Sequence, residues 1–157
     1  MKVKFKRLHK NSKIPQRATE LAGGWDVTVT EIIEESPDFV ICKLGFALEL
    51  PIGYKLTLVP RSSLTKTKWI LQNSPGLGDA DYTGEYQYRF RALPIGMNTY
   101  YGGEIISDSP SYEIFPYEIG DRIGQVYLEE VIPIEWEEVE ELSTTDRNTG
   151  GFGSTGK

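Results

Sequence analysis

Apolar and polar residues alternate with a period of two along most of the chain, which is the signature of strands with one buried face. Residues 3–8, Val-Lys-Phe-Lys-Arg-Leu, place apolar and basic side chains on opposite faces. Residues 25–30 repeat the pattern, and 39–50 and 54–59 form two further runs separated by Pro51-Ile52-Gly53. Pro and Gly there predict a turn. Residues 86–90 alternate aromatic with polar, and 122–136 form a long run interrupted by Pro133. Many short strands at close spacing predict an all-β sandwich or barrel. The one helix that the pattern predicts is short, over 62–68, and 11–20 is a polar loop containing Pro15.

Two segments break the pattern. Residues 93–117 are rich in Pro, Gly, Asn, Ser and Tyr, which predicts a long irregular insertion between strands. Residues 143–157 are polar and Gly-rich without apolar periodicity, so this tail orders only against a partner or ligand.

Composition narrows the function classes. The 157 residues fit one domain with a core that needs no disulfide or structural metal. The net charge of -6 leaves few surplus cations for a nucleic-acid backbone. One cysteine, Cys42, and one histidine, His9, argue against a zinc site, and Cys42 lies in an apolar run as a small core residue. No apolar stretch follows the basic N-terminus as in a signal peptide, and none has the length of a membrane span, so a soluble cytoplasmic protein is expected.

Three segments carry candidate chemistry. At Val59-Pro60-Arg61-Ser62-Ser63-Leu64 a strand ends where a guanidinium and two hydroxyls gather. Such a turn suits an anionic oxygen cluster, or it is a surface turn with an N-cap serine. Residues 73–85, Asn-Ser-Pro-Gly-Leu-Gly-Asp-Ala-Asp-Tyr-Thr-Gly-Glu, hold two carboxylates two apart. In an extended segment Asp79 and Asp81 share a face and can act together, while the alternative is an Asx-rich hairpin turn. The tail from Arg147 to Lys157 offers glycines for close backbone approach, hydroxyls and Arg for phosphate, and Phe152 as an aromatic plate. Its Gly151–Lys157 portion imitates a P-loop, but acidic and polar residues replace the preceding strand and no helix follows.

Together these segments resemble the trimeric dUTPase family. Five motifs occur in order. Ala22-Gly23-Gly24-Trp25-Asp26-Val27 is similar to A-G-Y-D-L, and Pro60-Arg61-Ser62-Ser63-Leu64 to P-R-S-G-L. Residues 76–84 are similar to G-x-I-D-x-D-Y-x-G, and Gly120-Asp121-Arg122-Ile123-Gly124-Gln125-Val126 to G-D-R-I-A-Q-L. Residues 147–156 are similar to R-G-x-G-G-F-G-S-T-G.

The resemblance implies a jelly-roll-like β-barrel over 1–142, an inserted loop at about 93–111, and a C-terminal arm, 143–157, that closes an active site shared in a homotrimer. It implies hydrolysis of dUTP to dUMP and pyrophosphate. Asp79 would activate a water for attack on the α-phosphorus, and Asp26 would assist indirectly. Arg61, Ser62 and Gln125 would hold phosphate oxygens, and Ser63 would also contact substrate. Asn73, with the backbone of Gly76, Leu77, Gly78 and Asp79, would read the uracil, Gln87 would also contact substrate, and Tyr82 would stack under the deoxyribose. From the arm, Arg147, Gly153, Ser154 and Thr155 would clamp the γ-phosphate while Phe152 caps the base. Mg²⁺ would ride on the triphosphate and waters, with no direct protein ligand.

The motifs depart from the family pattern in places. Gly24-Trp25 stands for a single Tyr, Ser63 for Gly, Gly78 for Ile, Gly124 for Ala and Asn148 for Gly. Gly78 is expected to loosen the hairpin beside the base. The insert is longer than usual, similar to some phage members, and is either an elaborated loop or a surface for a protein partner. A dCTP deaminase shares the implied fold, but the place of its catalytic glutamate holds Arg89, a cation. A binding module acting through the insert is the second alternative.

Overall fold

The computed structural model describes residues 1–96, 99–101, 104–107 and 109–150, and within them twelve strands and one 3-10 turn follow one another. The strands are β1 (Lys4–Arg7), β2 (Trp25–Thr28), β3 (Glu31–Ser36), β4 (Phe39–Lys43), β5 (Phe46–Glu49) and β6 (Tyr54–Pro60). After the turn at Ser62–Lys66 come β7 (Trp69–Leu71), β8 (Gly76–Gly78), β9 (Gln87–Ala92), β10 (Thr99–Tyr101), β11 (Glu104–Ser107) and β12 (Arg122–Glu130).

All pairings are antiparallel. One four-stranded sheet has the order β2-β12-β6-β8 and a second the order β3-β4-β9-β7, with the pairs β1-β5 and β10-β11 beside them. Alternate residues on a strand face one side. On β4 those are Val40 and Cys42, both buried, while Phe39, Ile41 and Lys43 are partly exposed. The core joins Val27, Leu56, Leu58, Ile123 and Val126 of the first sheet to Val40, Cys42, Leu71, Tyr88 and Phe90 of the second. The all-β, jelly-roll-like expectation holds as two facing sheets whose ladders do not run into one closed barrel.

Element boundaries differ from the pattern in instructive ways. The single run 39–50 is two strands, β4 and β5, because the chain turns at Gly45 with φ +68. β3 is missed by alternation because Glu31, Glu34 and Glu35 point to solvent and, among the described residues, only one side of the strand has a neighbour. β7 and β8 are three residues each, too short to show a period. The expected helix over 62–68 is a 3-10 turn at Ser62–Lys66, and β12 ends at Glu130 rather than at 136.

The segment 93–117 is less irregular than expected. It holds the β10-β11 hairpin, and its base is tied by Ile95 N–H to Ser111 O and Ser111 N–H to Gly96 O, both 2.9 Å. Beyond the base, Tyr112, Phe115 and Tyr117 pack on the core, and Trp69 Nε1 donates to Glu113 O at 3.0 Å. Aromatic side chains within a Pro- and Gly-rich stretch anchor it to the sheet.

Candidate active site

Asp26 is buried in the middle of β2 and sits in a charge cluster across three strands. Gln125 on β12 pairs with Asp26 on one side and with Val59 on the other, which brings Arg61, just past β6, into the same row. The Arg122 Nη1 donates to Asp26 Oδ2 at 2.9 Å and Gln125 Nε2 donates to Oδ1 at 3.0 Å. Arg61 Nε lies 3.6 Å from Oδ1. Two guanidiniums thus meet one carboxylate. The Asp26 side chain is 4% exposed whereas Arg61 and Arg122 are 29% and 54% exposed, so a net positive face remains toward solvent. Such a face suits phosphate oxygens.

Ser62 and Ser63 open the 3-10 turn and are exposed. Neither caps it: the cap position is Arg61, without a side-chain hydrogen bond, so the N-cap alternative fails.

Asp79 belongs to a second cluster. A cleft of about 380 Å³ is lined by Asn73, Gly76, Leu77, Asp79, Tyr82 and Gln87, together with Leu58, Glu85, Tyr86 and Arg89. Asn73 spends its Oδ1 on the Arg89 N–H at 3.2 Å, which leaves its amide donors to face other partners. Tyr82 donates to Glu85 O at 2.9 Å and meets the Tyr86 ring edge-on at 5.3 Å, so its ring orientation is fixed from two sides. Asp79 is exposed at the end of β8.

The two carboxylates of the third motif do not act from one face. Tyr82 N–H bonds Asp79 O at 3.1 Å, so residues 79–82 form a turn rather than a strand. Asp81 is exposed and does not line the cleft. The Asx-rich turn reading is right about the backbone, and Asp79 keeps its place at the cleft.

Within one chain the clusters stand apart. Asp26 is on one edge strand of the sheet and Asp79 follows the other edge strand. Three strand spacings amount to roughly 14 Å. The offset along β6 adds to this, since Gln125 pairs with Val59 but Gly78 with Leu56. Arg61, Ser62, Ser63, Gln125 and Asp26 form one group, and Asn73, Gly76, Leu77, Gly78, Asp79, Tyr82 and Gln87 form another. Arg147 is exposed in the tail and its Nε donates to Gly150 O at 2.8 Å. Phe152, Gly153, Ser154 and Thr155 lie outside the described residues.

Residues 10–93 match the dUTPase family model, and the chain is 34% identical to a deoxyuridine 5'-triphosphate nucleotidohydrolase of Helicobacter pylori (strain P12) over 158 residues, 99% of this chain and 97% of the relative. The chain belongs to the dUTPase family. A Nautilia profundicola protein of the same description is 34% identical and is covered in full, as is this chain. The fold is similar to that of the Staphylococcus bacteriophage 80alpha dUTPase solved with dUPNHPP, with TM-score 0.77, 27% identity and 99% of both chains covered. It is also similar to the dUTPase of Staphylococcus aureus phage phi11, described with a species-specific insert, at TM-score 0.71, 24% identity and 92% and 100% coverage.

Against the dUTPase motifs, two residues gain meaning that the sequence did not assign. Arg122, part of the fourth motif, is the cation that donates to Asp26. Tyr86, two residues past the third motif's last glycine, accounts for Gly78. A Cβ at Gly78 would lie 2.6 Å from the Tyr86 ring, so the space left by the missing Ile side chain is filled. The expectation that Gly78 loosens the hairpin is therefore corrected: the glycine is packed, and β8 is buried at Gly76 and Gly78. Tyr86 lies outside the motif, and only the fold shows that its ring fills the space beside Gly78.

Proposed function

We propose that this chain hydrolyses dUTP to dUMP and pyrophosphate, with Asp79 orienting and deprotonating the attacking water. The observation that carries the reading is the Asp79 cleft in a chain of dUTPase family membership. Its volume of about 380 Å³ suits a nucleoside. It joins an aromatic plate, Tyr82, to a polar edge, Asn73, and to a carboxylate at the mouth, Asp79. The Asn73 amide, its oxygen already used, offers donors, which matches a uracil carbonyl rather than a cytosine amino group.

In the reaction the water oxygen bonds to the α-phosphorus, its proton passes to the Asp79 carboxylate, and the α-phosphorus–oxygen bond to pyrophosphate breaks. Arg61, Gln125 and the two serines hold the phosphates, and Asp26 keeps the guanidiniums in place. Mg²⁺ would be carried by the triphosphate, which Arg61, Gln125 and the serines would hold, and by waters. Bound there, it would supply positive charge against the negative charge that develops on the phosphates.

The working unit is a homotrimer in which the Asp79 group of one chain meets the Asp26 group of another. Supporting this, Ile132, Ile134 and Trp136 alternate along the segment after β12 and are 77%, 68% and 87% exposed. Three large apolar side chains at a period of two suit a strand-like contact with a second copy. Residues 1–142 form the barrel unit and 143–157 the arm that closes over the nucleotide. No helix among the described residues is long and apolar enough to cross a membrane.

The test is pyrophosphate release from dUTP with Mg²⁺, in wild type and in Asp79→Asn. Activity in the first and none in the second is expected. Full activity in Asp79→Asn removes the base assignment, and ammonia release from dCTP in place of pyrophosphate overturns the hydrolase reading. Deleting 152–157 leaves a folded trimer with most turnover lost, and an unchanged rate removes the arm from the site.

The insert supports a second role beside hydrolysis. Its hairpin leaves the core through the tied base at Ile95, Gly96 and Ser111, as an appendage suited to a protein partner. Replacing 97–110 by a short turn should leave hydrolysis intact, and a lost rate would make the insert part of the site.

A further inference from the structure

Two carboxylates line the Asp79 cleft, those of Asp79 and Glu85, and the second is already engaged. Gly45 N–H donates to Glu85 Oε1 at 3.0 Å, joining residues 40 positions apart. Gly45 is buried where β4 turns into β5, with φ +68. A Cβ there would lie 2.8 Å from both His9 Cβ and Thr30 Oγ1, so the anchor has no room to shift. Its carbonyl is held as well, by Leu8 N–H at 2.8 Å and His9 N–H at 3.1 Å. A carboxylate that accepts from a buried N–H makes a charge-assisted bond, stronger than a neutral one.

The backbone of Glu85 holds the aromatic plate of the cleft. Tyr82 Oη donates to Glu85 O at 2.9 Å. The tip of the ring lies across Gly84, where a Cβ would sit 2.7 Å from both Cζ and Oη. Tyr82 N–H bonds Asp79 O at 3.1 Å, so residues 79–85 close on themselves as one loop. The C-terminal end of that loop is fastened to residues 44–46 three times. Leu44 N–H donates to Tyr86 O and Tyr86 N–H to Phe46 O, both at 3.1 Å, and the third bond is that from Gly45 to the Glu85 side chain. Of the three, the last depends on a side chain, and it belongs to the residue whose carbonyl Tyr82 uses.

We infer that Glu85 is a positioning residue for sugar selection: its carboxylate, fixed on Gly45, holds its own carbonyl where it accepts the Tyr82 hydroxyl, and so sets the ring against which a 2′-hydroxyl collides. The inference rests on the proposed reading in which Tyr82 lies under the deoxyribose. A plate that can tilt leaves room for one more oxygen, so the rigidity of the tether, rather than the presence of the ring, decides between deoxyribose and ribose. Glu85 thus acts through Tyr82, and the carboxylate that it spends on Gly45 leaves Asp79 as the base.

The experiment measures kcat/KM for dUTP and for UTP, with the urea midpoint, on full chains carrying Glu85→Ala, Glu85→Gln, Tyr82→Phe, and Glu85→Ala combined with Tyr82→Phe. Glu85→Ala is expected to lower the dUTP-over-UTP ratio about tenfold, the scale of one hydrogen bond to a charged group. Glu85→Gln keeps an oxygen of the same reach and stays within about threefold of wild type. Tyr82→Phe keeps the ring but cuts the tether at its other end, and it lowers the ratio as well. The combined variant falls no further than the worse single change, because both break one chain of contacts. A lowered urea midpoint with an unchanged ratio in Glu85→Ala would overturn the inference, since Glu85 then only staples the loop. Losses that multiply in the combined variant would also overturn it. If Glu85→Ala does not fold, Glu85→Asp takes its place: it keeps the charge but is one methylene too short, and an unchanged ratio there counts against the tether. Wild type that releases no pyrophosphate from dUTP sinks the hydrolysis reading itself, whereas active, deoxyribose-selective wild type with equally selective Glu85 variants sinks only this one.

Discussion

The Tyr88 hydroxyl reaches across the core from one sheet and donates to the Gln125 carbonyl of the other at 2.8 Å. The same oxygen lies 3.3 Å from Val59 O, so it touches both members of a ladder pair. Those two strands carry Gln125 and lead into Arg61. The phenol is fully buried, and burial holds its proton on far into alkaline pH. It therefore ties the strands that carry Gln125 and lead into Arg61 to the opposite sheet as a permanent donor.

Gly124 is the partner of that tyrosine. A Cβ there would lie 2.3 Å from Tyr88 Cε1, between two buried strands with no flexible end to yield. Gly124→Ala, which restores the residue usual in the family motif, is expected to destabilise the fold by about 1–3 kcal/mol through overpacking. Urea unfolding measures it, and a variant as stable as wild type would show that Tyr88 moves freely.

Removing the carboxylate of Asp26 should separate stability from catalysis. Asp26→Ala leaves two guanidiniums without their shared anion, but both are partly exposed and can rehydrate. A loss of about 1–3 kcal/mol is expected, below that of a fully buried broken pair. Turnover with dUTP should fall by more than stability explains, because Arg61 and Arg122 lose their common anchor. Thermal unfolding and steady-state kinetics on one preparation decide between this and a purely structural role.

Association is expected to depend on the segment after β12. Trp136→Glu places a charge where a second copy would cover an apolar ring. Burying such a side chain contributes about 1.5–3 kcal/mol per chain. Sedimentation should show smaller species at micromolar concentration, together with lost turnover. A trimer that survives this change and also Ile134→Glu would place the contact elsewhere.

Cys42 should be inert in the native protein. It is fully buried, and burial raises its thiol from the usual 9.0 to about 12. The folded state thus favours the neutral thiol. Its contribution to stability is complete below pH 9.0 and is lost as the pH rises through about 12. An exposed-thiol reagent at pH 8 should label it only after urea is added. Rapid labelling without denaturant would refute the burial argument.

Much of this protein was legible from its residues in order. Alternation revealed the strands with one clear apolar face, such as β6 and β9, since a period of two needs only neighbours in sequence. The motifs around Asp26, Arg61, Asp79 and Gln125 were legible for the same reason, because each is a local run. Strands with weak local signals, β3 with its glutamates and the three-residue β7 and β8, became strands only through their ladder partners. Tertiary structure alone decided that Asp26 and Asp79 lie at opposite edges of one sheet, since strand order is set by which faces bury together. It also decided that Gly78 and Gly124 are filled by Tyr86 and Tyr88. Close packing is a property of volumes that meet in space, and neither tyrosine lies within the motif whose glycine it covers.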